Sequence, residues 1–388
     1  MRPIIWCCLV LCWGLTPVFA QVSTAAAPLA VPGLPALPVD SYVLEDFHSG
    51  AVLAEAAADA PVEPASITKL MAAYVIYRQL AEGALSPQQQ VLISEKAWRA
   101  EGSRMFIEVG TRVAVEDLIM GMVVQSGNDA TIALAEHVAG SEAAFVALMN
   151  QWAERLGLTG SHFVNSTGLP HPEHYMTARD IARLVRAIIG EFPEHYSRYS
   201  VKAYSYNDID QQNRNRLLWQ DPTVDGVKTG HTSRAGYCLA SSAERDGMRL
   251  IAVVLGAEDN ASRFAVSRTL LNHGFRFYRT HKLYDAQQAL TQLRLWKGQS
   301  SQLPLGLAAP LHVTIPRGRY PGLNAALEVA DWVEAPVGVG DDLGRVVVTL
   351  DDETIADAPL LALEAVERSG FLWRMWDQLA MTFYSFFD

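Results

Sequence analysis

The sequence predicts an α+β fold: an antiparallel sheet flanked by helices, followed by a small all-β domain and an amphipathic C-terminal helix. Three patterns predict it. Segments of helical period run from Ser66 to Ile189. From Val224 to Gly256 the period changes to two, and between His281 and Glu367 short apolar alternations are punctuated by Gly and Pro.

Composition sets the outer bounds. A chain of 388 residues with 50% hydrophobic and 19% charged content suits a globular protein of more than one domain and excludes a disordered or collagenous one. The net charge of -11 argues against a nucleic-acid partner, although a cleft in such a chain can still be locally basic. Met1-Arg2, the apolar run Ile4 to Leu15 and the close Pro17-Val18-Phe19-Ala20 have the three parts of a secretory signal cleaved after Ala20. The run is short of the ~20 residues of a retained membrane anchor, and Leu11 in place of a small residue before Cys12 disfavours a lipoprotein signal. Cys7, Cys8 and Cys12 would leave with that signal. Cys238 then stands alone, with no internal disulfide, and reads as a small buried hydrophobe in a strand.

The elements follow in order. Residues 21–38, rich in Ala, Pro and Val, read as a linker, and Ser41 to Val52 as a strand, a turn at His48-Ser49-Gly50 and a second strand. Pro64-Ala-Ser-Ile-Thr-Lys69 then runs into the apolar segment Leu70 to Tyr77, the start of a buried helix. Ser66 and Lys69 are three apart and share a helical face, so the amine can act as base for the hydroxyl if desolvation lowers its pKa. First-turn amides and the positive end of the helix dipole favour an oxyanion beside Ser66. Alone, such a pair is most often a solvated helix face.

Ile93 to Val113 reads as loops and short strands, and Glu116 to Val124 as a helix that stops at Ser126-Gly127-Asn128, with the next helix over Ala130 to Val138. A serine and an asparagine on a sharp inter-helix turn can both point into a cleft, though Ser-Gly-Asn is commonly just a turn. Phe145 to Leu156 and Ala178 to Ile189 are amphipathic helices, the second capped by Thr177 with Asp180 at its third position. Asn165-Ser166-Thr167-Gly168-Leu169 is turn chemistry. Gly226 to His231, Gly236 to Ser242 and Met248 to Gly256 form an antiparallel meander turning at Asp246-Gly247. On its first strand Lys228 supplies positive charge, Thr229 a hydroxyl for a carboxylate, and Gly230 room for a substrate backbone.

Each motif is weak alone, but Ser-x-x-Lys, Ser-x-Asn and Lys-Thr-Gly occur in that order on a helix start, an inter-helix turn and a strand. This set resembles class A β-lactamases and penicillin-binding proteins. The wider strings PASITKLM, SGNDA, FVNSTGL, HYMTARDIARL, VDGVKTGHTSRAGYCL and GFRFY resemble the D-alanyl-D-alanine carboxypeptidases of the low-molecular-mass penicillin-binding group, from about Ser41 onward. The resemblance implies a β-lactamase/transpeptidase-like catalytic domain and an acyl-enzyme on Ser66, formed from peptidoglycan stem peptides ending in D-Ala-D-Ala or from β-lactam antibiotics. It implies Lys69 as base, Ser126 as proton relay, and Asn128 on the substrate amide. Lys228, Thr229 and Arg263 would bind the substrate carboxylate, Gly230 would let the substrate backbone lie close, and the backbone N–H groups of Ser66 and His231 would form the oxyanion hole. It calls for no cofactor and no metal. A β-lactamase is the rival within the fold, and D,D-endopeptidase activity on cross-links or an idle penicillin-binding scaffold are the other readings. Between the second and third motifs the chain offers Glu173 without the Glu-x-x-Leu-Asn setting of a class A deacylating base, so penicillin should acylate Ser66 and leave slowly.

The domain limits expected are a signal over 1–20, a linker over 21–38, a catalytic domain over 39–280, a β domain over 281–367 and a helix over 368–388. The β domain contains no nucleophile constellation and reads as a spacer or partner surface. In the terminal helix Arg374, Gln378, Thr382 and Ser385 fall on one face and Leu372, Met375, Trp376, Leu379, Phe383 and Phe386 on another. That pattern suits a helix lying on a membrane surface, with docking on the protein's own β domain as the alternative. The family and the signal together imply the periplasmic face of a bacterial inner membrane.

Overall fold

A computed structural model describes residues 31–384. The expected signal, linker residues 21–30 and the end of the tail, with Ser385 and Phe386, lie outside the described residues. The first sheet has five antiparallel strands in the order β2 (Val52–Ala56), β1 (Ser41–Asp46), β5 (Met248–Ala257), β4 (Gly236–Arg245) and β3 (Val224–Thr232). Val43 pairs with Val253 and Gly230 with Cys238, so β3 is an edge strand. Both faces are covered, which is why β5 is apolar at nearly every position. Ile251, Val253 and Leu255 point into one core with Val43, Leu70, Tyr74 and Leu184; Leu250, Ala252 and Val254 point into the other with Leu44, Phe264, Leu270 and Leu271. Each such fully buried Leu or Val contributes on the order of 1.5–3 kcal/mol.

The first core belongs to four helices, α1 (Lys69–Ala81), α2 (Asn128–Ala139), α3 (Glu142–Arg155) and α4 (Ala178–Glu191). The second lies under α5 (Asn260–Phe277). The hydroxyl of Thr177 accepts from Asp180 N at 3.1 Å, the cap that the sequence predicts. Two local details differ from expectation. Ser66 lies in a tight 3₁₀ turn, Ala65–Thr68, and the α-helix begins only at Lys69; Ala65, at φ +48, re-aims the chain just before the serine. The helix expected over 116–124 widens into a π turn at Gly121–Gln125, which ends on Ser126 at φ +65. Asn128 is then the first residue of α2 and not part of the turn. Cys238 is fully buried in β4, as read from the sequence.

Beyond α5 a second, six-stranded sheet runs in the order Leu323–Val329, Asp342–Leu350, Glu353–Ala362, Gln302–Gly306, Ala289–Trp296, Val333–Glu334. Its core is aliphatic, with Leu295, Leu303, Leu305, Val346, Val348 and Leu360. The two halves meet through buried Asp46: Thr280 Oγ1 donates to its carboxylate at 2.6 Å and Ser49 Oγ donates to it at 2.8 Å. His48 stacks on His312 at 4.9 Å across the same seam.

The terminal helix α6 (Phe371–Tyr384) touches the β domain along one side and leaves an aromatic side exposed. Asp377 accepts from Lys297 N at 2.6 Å and lies 3.7 Å from Arg294, which docks the polar side on the β domain. Leu372, Trp373, Trp376, Leu379 and Phe383 stay exposed.

Candidate active site

Four chain segments converge beside β3. The first is the Ser66 turn, held against the edge strand by Gly230, where a Cβ would come within 2.7 Å of Pro64 O. Ser66 is half-buried, and its Oγ lies 3.0 Å from Lys69 Nζ. The Lys69 amine also donates to Asn128 Oδ1 and to Thr167 O, both at 2.7 Å, so its position is fully determined. Burial, reinforced by the Arg214 guanidinium and opposed by Asp129, lowers this amine from 10.5 to about 7. A near-neutral amine in contact with a hydroxyl is a competent general base.

The second segment carries Ser126 and Asn128. The left-handed backbone at Ser126 turns its hydroxyl towards Lys228, whose Nζ donates to it at 2.8 Å. The turn is braced by the loop over 101–107. Asn128 donates through Nδ2 to Glu101 O at 2.6 Å and through its backbone N–H to Ser103 O at 2.7 Å. Buried Asp129 accepts from the N–H groups of Met105 (3.0 Å), Phe106 (2.9 Å) and Ile107 (3.3 Å). The buried acid therefore acts as a clamp on the loop facing the cleft.

The third segment is β3, with Lys228 and Thr229 buried. Burial, with repulsion from Lys69, Arg214 and Arg263, pushes the Lys228 amine well below its ordinary value. The ring of His231 stacks on Tyr237 at 4.1 Å.

The fourth is the Asn165–Leu169 turn. Asn165 Oδ1 accepts from the N–H groups of Thr167, Gly168 and Leu169 at 3.1, 2.7 and 3.2 Å, and this aims Thr167 O at Lys69. Gly168 has φ +86, and a Cβ there would overlap the Ala65 carbonyl oxygen, so the turn must be glycine to touch the nucleophile segment. Beneath, Thr68 Oγ1 and His174 Nε2 are 2.8 Å apart; burial and the neighbouring His162 and His171 lower His174 to about 4 and keep it neutral.

Ser66, Lys69, Ser126, Asn128, Lys228 and Thr229 are thus brought together. Arg263 stands differently: its Nη1 donates to Gly230 O at 2.9 Å and to Cys238 O at 3.3 Å, with Tyr237 and Phe264 against its guanidinium. It supports β3 from behind and also lines a cleft shared with Arg214, Arg216, Trp219 and His231. Glu173 is exposed, and among the described residues no carboxylate hydrogen-bonds to Ser66 or Lys69. Thr167, Asp129, His174, Arg214 and Arg216 were not identified as site residues from the sequence. A signal exists for the arginines: in Asn213-Arg214-Asn215-Arg216 the asparagines are buried and the arginines exposed, a period-two pattern that turns both cations to one side. The buried asparagines fix it, Asn215 donating to Gly226 O at 2.8 Å and Asn213 to Val201 O at 3.0 Å.

Comparison with known proteins gives the family. Residues 26–259 match the D-alanyl-D-alanine carboxypeptidase family, and residues 278–368 match the C-terminal domain of penicillin-binding protein 5. The chain is 40% identical over 382 residues to the D-alanyl-D-alanine carboxypeptidase DacC of Escherichia coli (strain K12), covering 96% of both chains. It is 39% identical over 360 residues to DacA of Haemophilus influenzae, covering 91% of this chain and 92% of that one. The crystal structure of penicillin binding protein 5 from Haemophilus influenzae superposes with a TM-score of 0.83 at 39% identity, over 87% of this chain and 100% of that chain. With a serine beside a buried, near-neutral amine at the mouth of α1, and agreement along nearly its whole length, the chain belongs to the D-alanyl-D-alanine carboxypeptidase family.

Proposed function

We propose that the chain removes the terminal D-alanine from peptidoglycan stem pentapeptides through an acyl-enzyme on Ser66. The observation that carries this assignment is the Lys69 amine, buried, near-neutral and 3.0 Å from Ser66 Oγ. Lys69 takes the hydroxyl proton as Ser66 attacks the carbonyl between the two D-alanines, and the backbone N–H groups of Ser66 and His231 hold the oxyanion at ~3 kcal/mol per donor. The Lys228–Ser126 hydrogen bond supports Ser126 as the path by which the proton reaches the departing amine. Asn128 Nδ2 is committed to Glu101 O and Oδ1 to Lys69, so Asn128 orders the base as well as facing the substrate amide. Thr229, Lys228 and Arg263 receive the terminal carboxylate. Water activated by Lys69 then hydrolyses the ester. β-Lactams enter by the same attack and leave slowly, since among the described residues no carboxylate hydrogen-bonds to Ser66 or Lys69 as a second base.

Release of D-alanine from a stem pentapeptide, with Ser66→Ala in parallel, tests this reading. Loss by a factor on the order of 10⁴ or more in the variant is expected. Equal release from both proteins would remove Ser66 from the role of nucleophile.

The exposed apolar side of α6 supports attachment to a membrane surface, at the periplasmic face of the inner membrane. Because the sequence carries few cations there, attachment rests on apolar burial. Co-sedimentation with neutral lipid vesicles is expected for the wild type and is lost in the Trp373→Ser, Trp376→Ser double variant. Retention by that variant would exclude α6 as the anchor.

A further inference from the structure

Between Asn213-Arg214-Asn215-Arg216 and the end of β3 lies an open cleft of about 710 Å³. That is the size of a site for a drug-sized ligand and well beyond the needs of one alanine. Three guanidinium groups line it, from Arg214, Arg216 and Arg263, and no carboxylate is among its lining residues, in a chain whose net charge is -11. Two of the three are engaged: Arg263 with Gly230 O and Cys238 O, and Arg214 with Gln125 O at 3.2 Å. The Arg216 side chain makes no hydrogen bond or ion pair among the described residues, yet the buried asparagines beside it hold it towards the cleft. Like charges facing one cleft repel, and an anionic ligand is what offsets that cost.

In the reading above, the terminal carboxylate of a D-alanine-ending stem is one anion, received by Lys228, Thr229 and Arg263. We propose that Arg216, with Trp219 beside it, forms an outer leaving-group subsite for a second carboxylate. The enzyme then also expels leaving groups that carry one, such as a terminal D-glutamate or the amine-bearing half of a cross-linked pair of stem peptides. This rests on Ser66 as the nucleophile. The bonds are those of the carboxypeptidase reaction: the amide breaks, the Ser66 ester forms, the proton passes to the leaving amine, and water hydrolyses the ester. Only the identity of the amine changes.

The mature full-length chain is assayed at low ionic strength on stem pentapeptides ending in D-alanine, D-glutamine or D-glutamate, and on a cross-linked dimer, with each rate taken relative to D-alanine release. The wild type is expected to favour D-glutamate over its neutral isostere D-glutamine by about fivefold in kcat/KM, the scale of one exposed charge pair. Arg216→Gln brings that ratio to about one and lowers dimer cleavage by the same factor; Arg216→Lys restores both, and Arg216→Glu inverts the ratio. A merely structural role for Arg216 would lower all substrates together and leave the ratio in place. Equal use of D-glutamate and D-glutamine by the wild type, or a preference that survives Arg216→Gln, overturns the subsite. No D-alanine release from the wild type would instead overturn the carboxypeptidase assignment beneath it.

Discussion

The two halves of this carboxypeptidase differ in how much polar chemistry they bury within their apolar cores. In the catalytic half the interior includes Lys69, Lys228, Ser126, Asn128, Asp129 and His174. Among the described residues, no polar or charged side chain beyond Ser267 is buried; the core of the β domain is aliphatic throughout. An aliphatic core gains free energy with each side chain it encloses, whereas a buried amine costs several kcal/mol before its hydrogen bonds are counted. The catalytic half therefore carries an energetic load placed where the chemistry is, and its large apolar layers around the first sheet offset it. The β domain carries no such load.

Replacing the base is the strongest way to break this contrast. Lys69→Met should lower kcat/KM for D-alanine release on the order of 10³-fold. In the wild type that rate should rise with pH through about 7, as the Lys69 amine loses its proton. Stability follows the same group. Below about 7 the amine is charged in both the folded and unfolded chain, and the burial cost is paid in full. Between about 7 and the unfolded value of 10.5 the unfolded state binds the extra proton, so stability rises with pH. Urea unfolding at pH 7 and pH 10 should show Lys69→Met gaining on the wild type at pH 7, with the gap closing at pH 10. A gap that does not move with pH would mean that the amine is not a load at all.

Gly168→Ala sharpens the contrast from a different side, because it disturbs the load without removing a polar group. The new methyl meets the Ala65 carbonyl at a positive φ and displaces Thr167 O from Lys69. A loss of about 2–3 kcal/mol in stability and of about tenfold or more in D-alanine release is expected, measured by thermal unfolding and by the same assay. Leu305→Ala makes the smallest functional change. Removing a fully buried leucine from the β domain should cost about 2–5 kcal/mol and advance that domain's unfolding, with kcat/KM within about twofold of wild type. An equal loss of activity would show that the seam at Asp46, Ser49 and Thr280 couples the halves more tightly than their contrasting interiors suggest.

Much of this was legible in the chain because it is local. The change from helical period to period two located the helices and the meander, the Thr177 cap marked α4, and three residues of spacing joined Ser66 to Lys69. The 3₁₀ turn at Ser66 and the π turn before Ser126 were not legible, since both are small departures from a helix imposed by what packs around them. Asp129 stands just before the helix expected from Ala130, and its work as a clamp on Met105, Phe106 and Ile107 depends on a loop that periodicity cannot fold.

The sequence by itself determined the family, the α+β class, the pairing of Ser66 with Lys69 and the order of the three motifs, because each rests on residues close together in the chain or on a periodic pattern. Only the tertiary structure decided that Thr167 O, 98 positions away, and Asn128, 59 positions away, would complete the shell of Lys69, and that Ser126, 102 positions away, would meet Lys228. It also decided that Arg263 would brace β3 while lining the cleft, and that Arg216 would face that cleft with no side-chain partner among the described residues. The reason is desolvation: an amine titrates near 7 only when many distant segments exclude water from it at once.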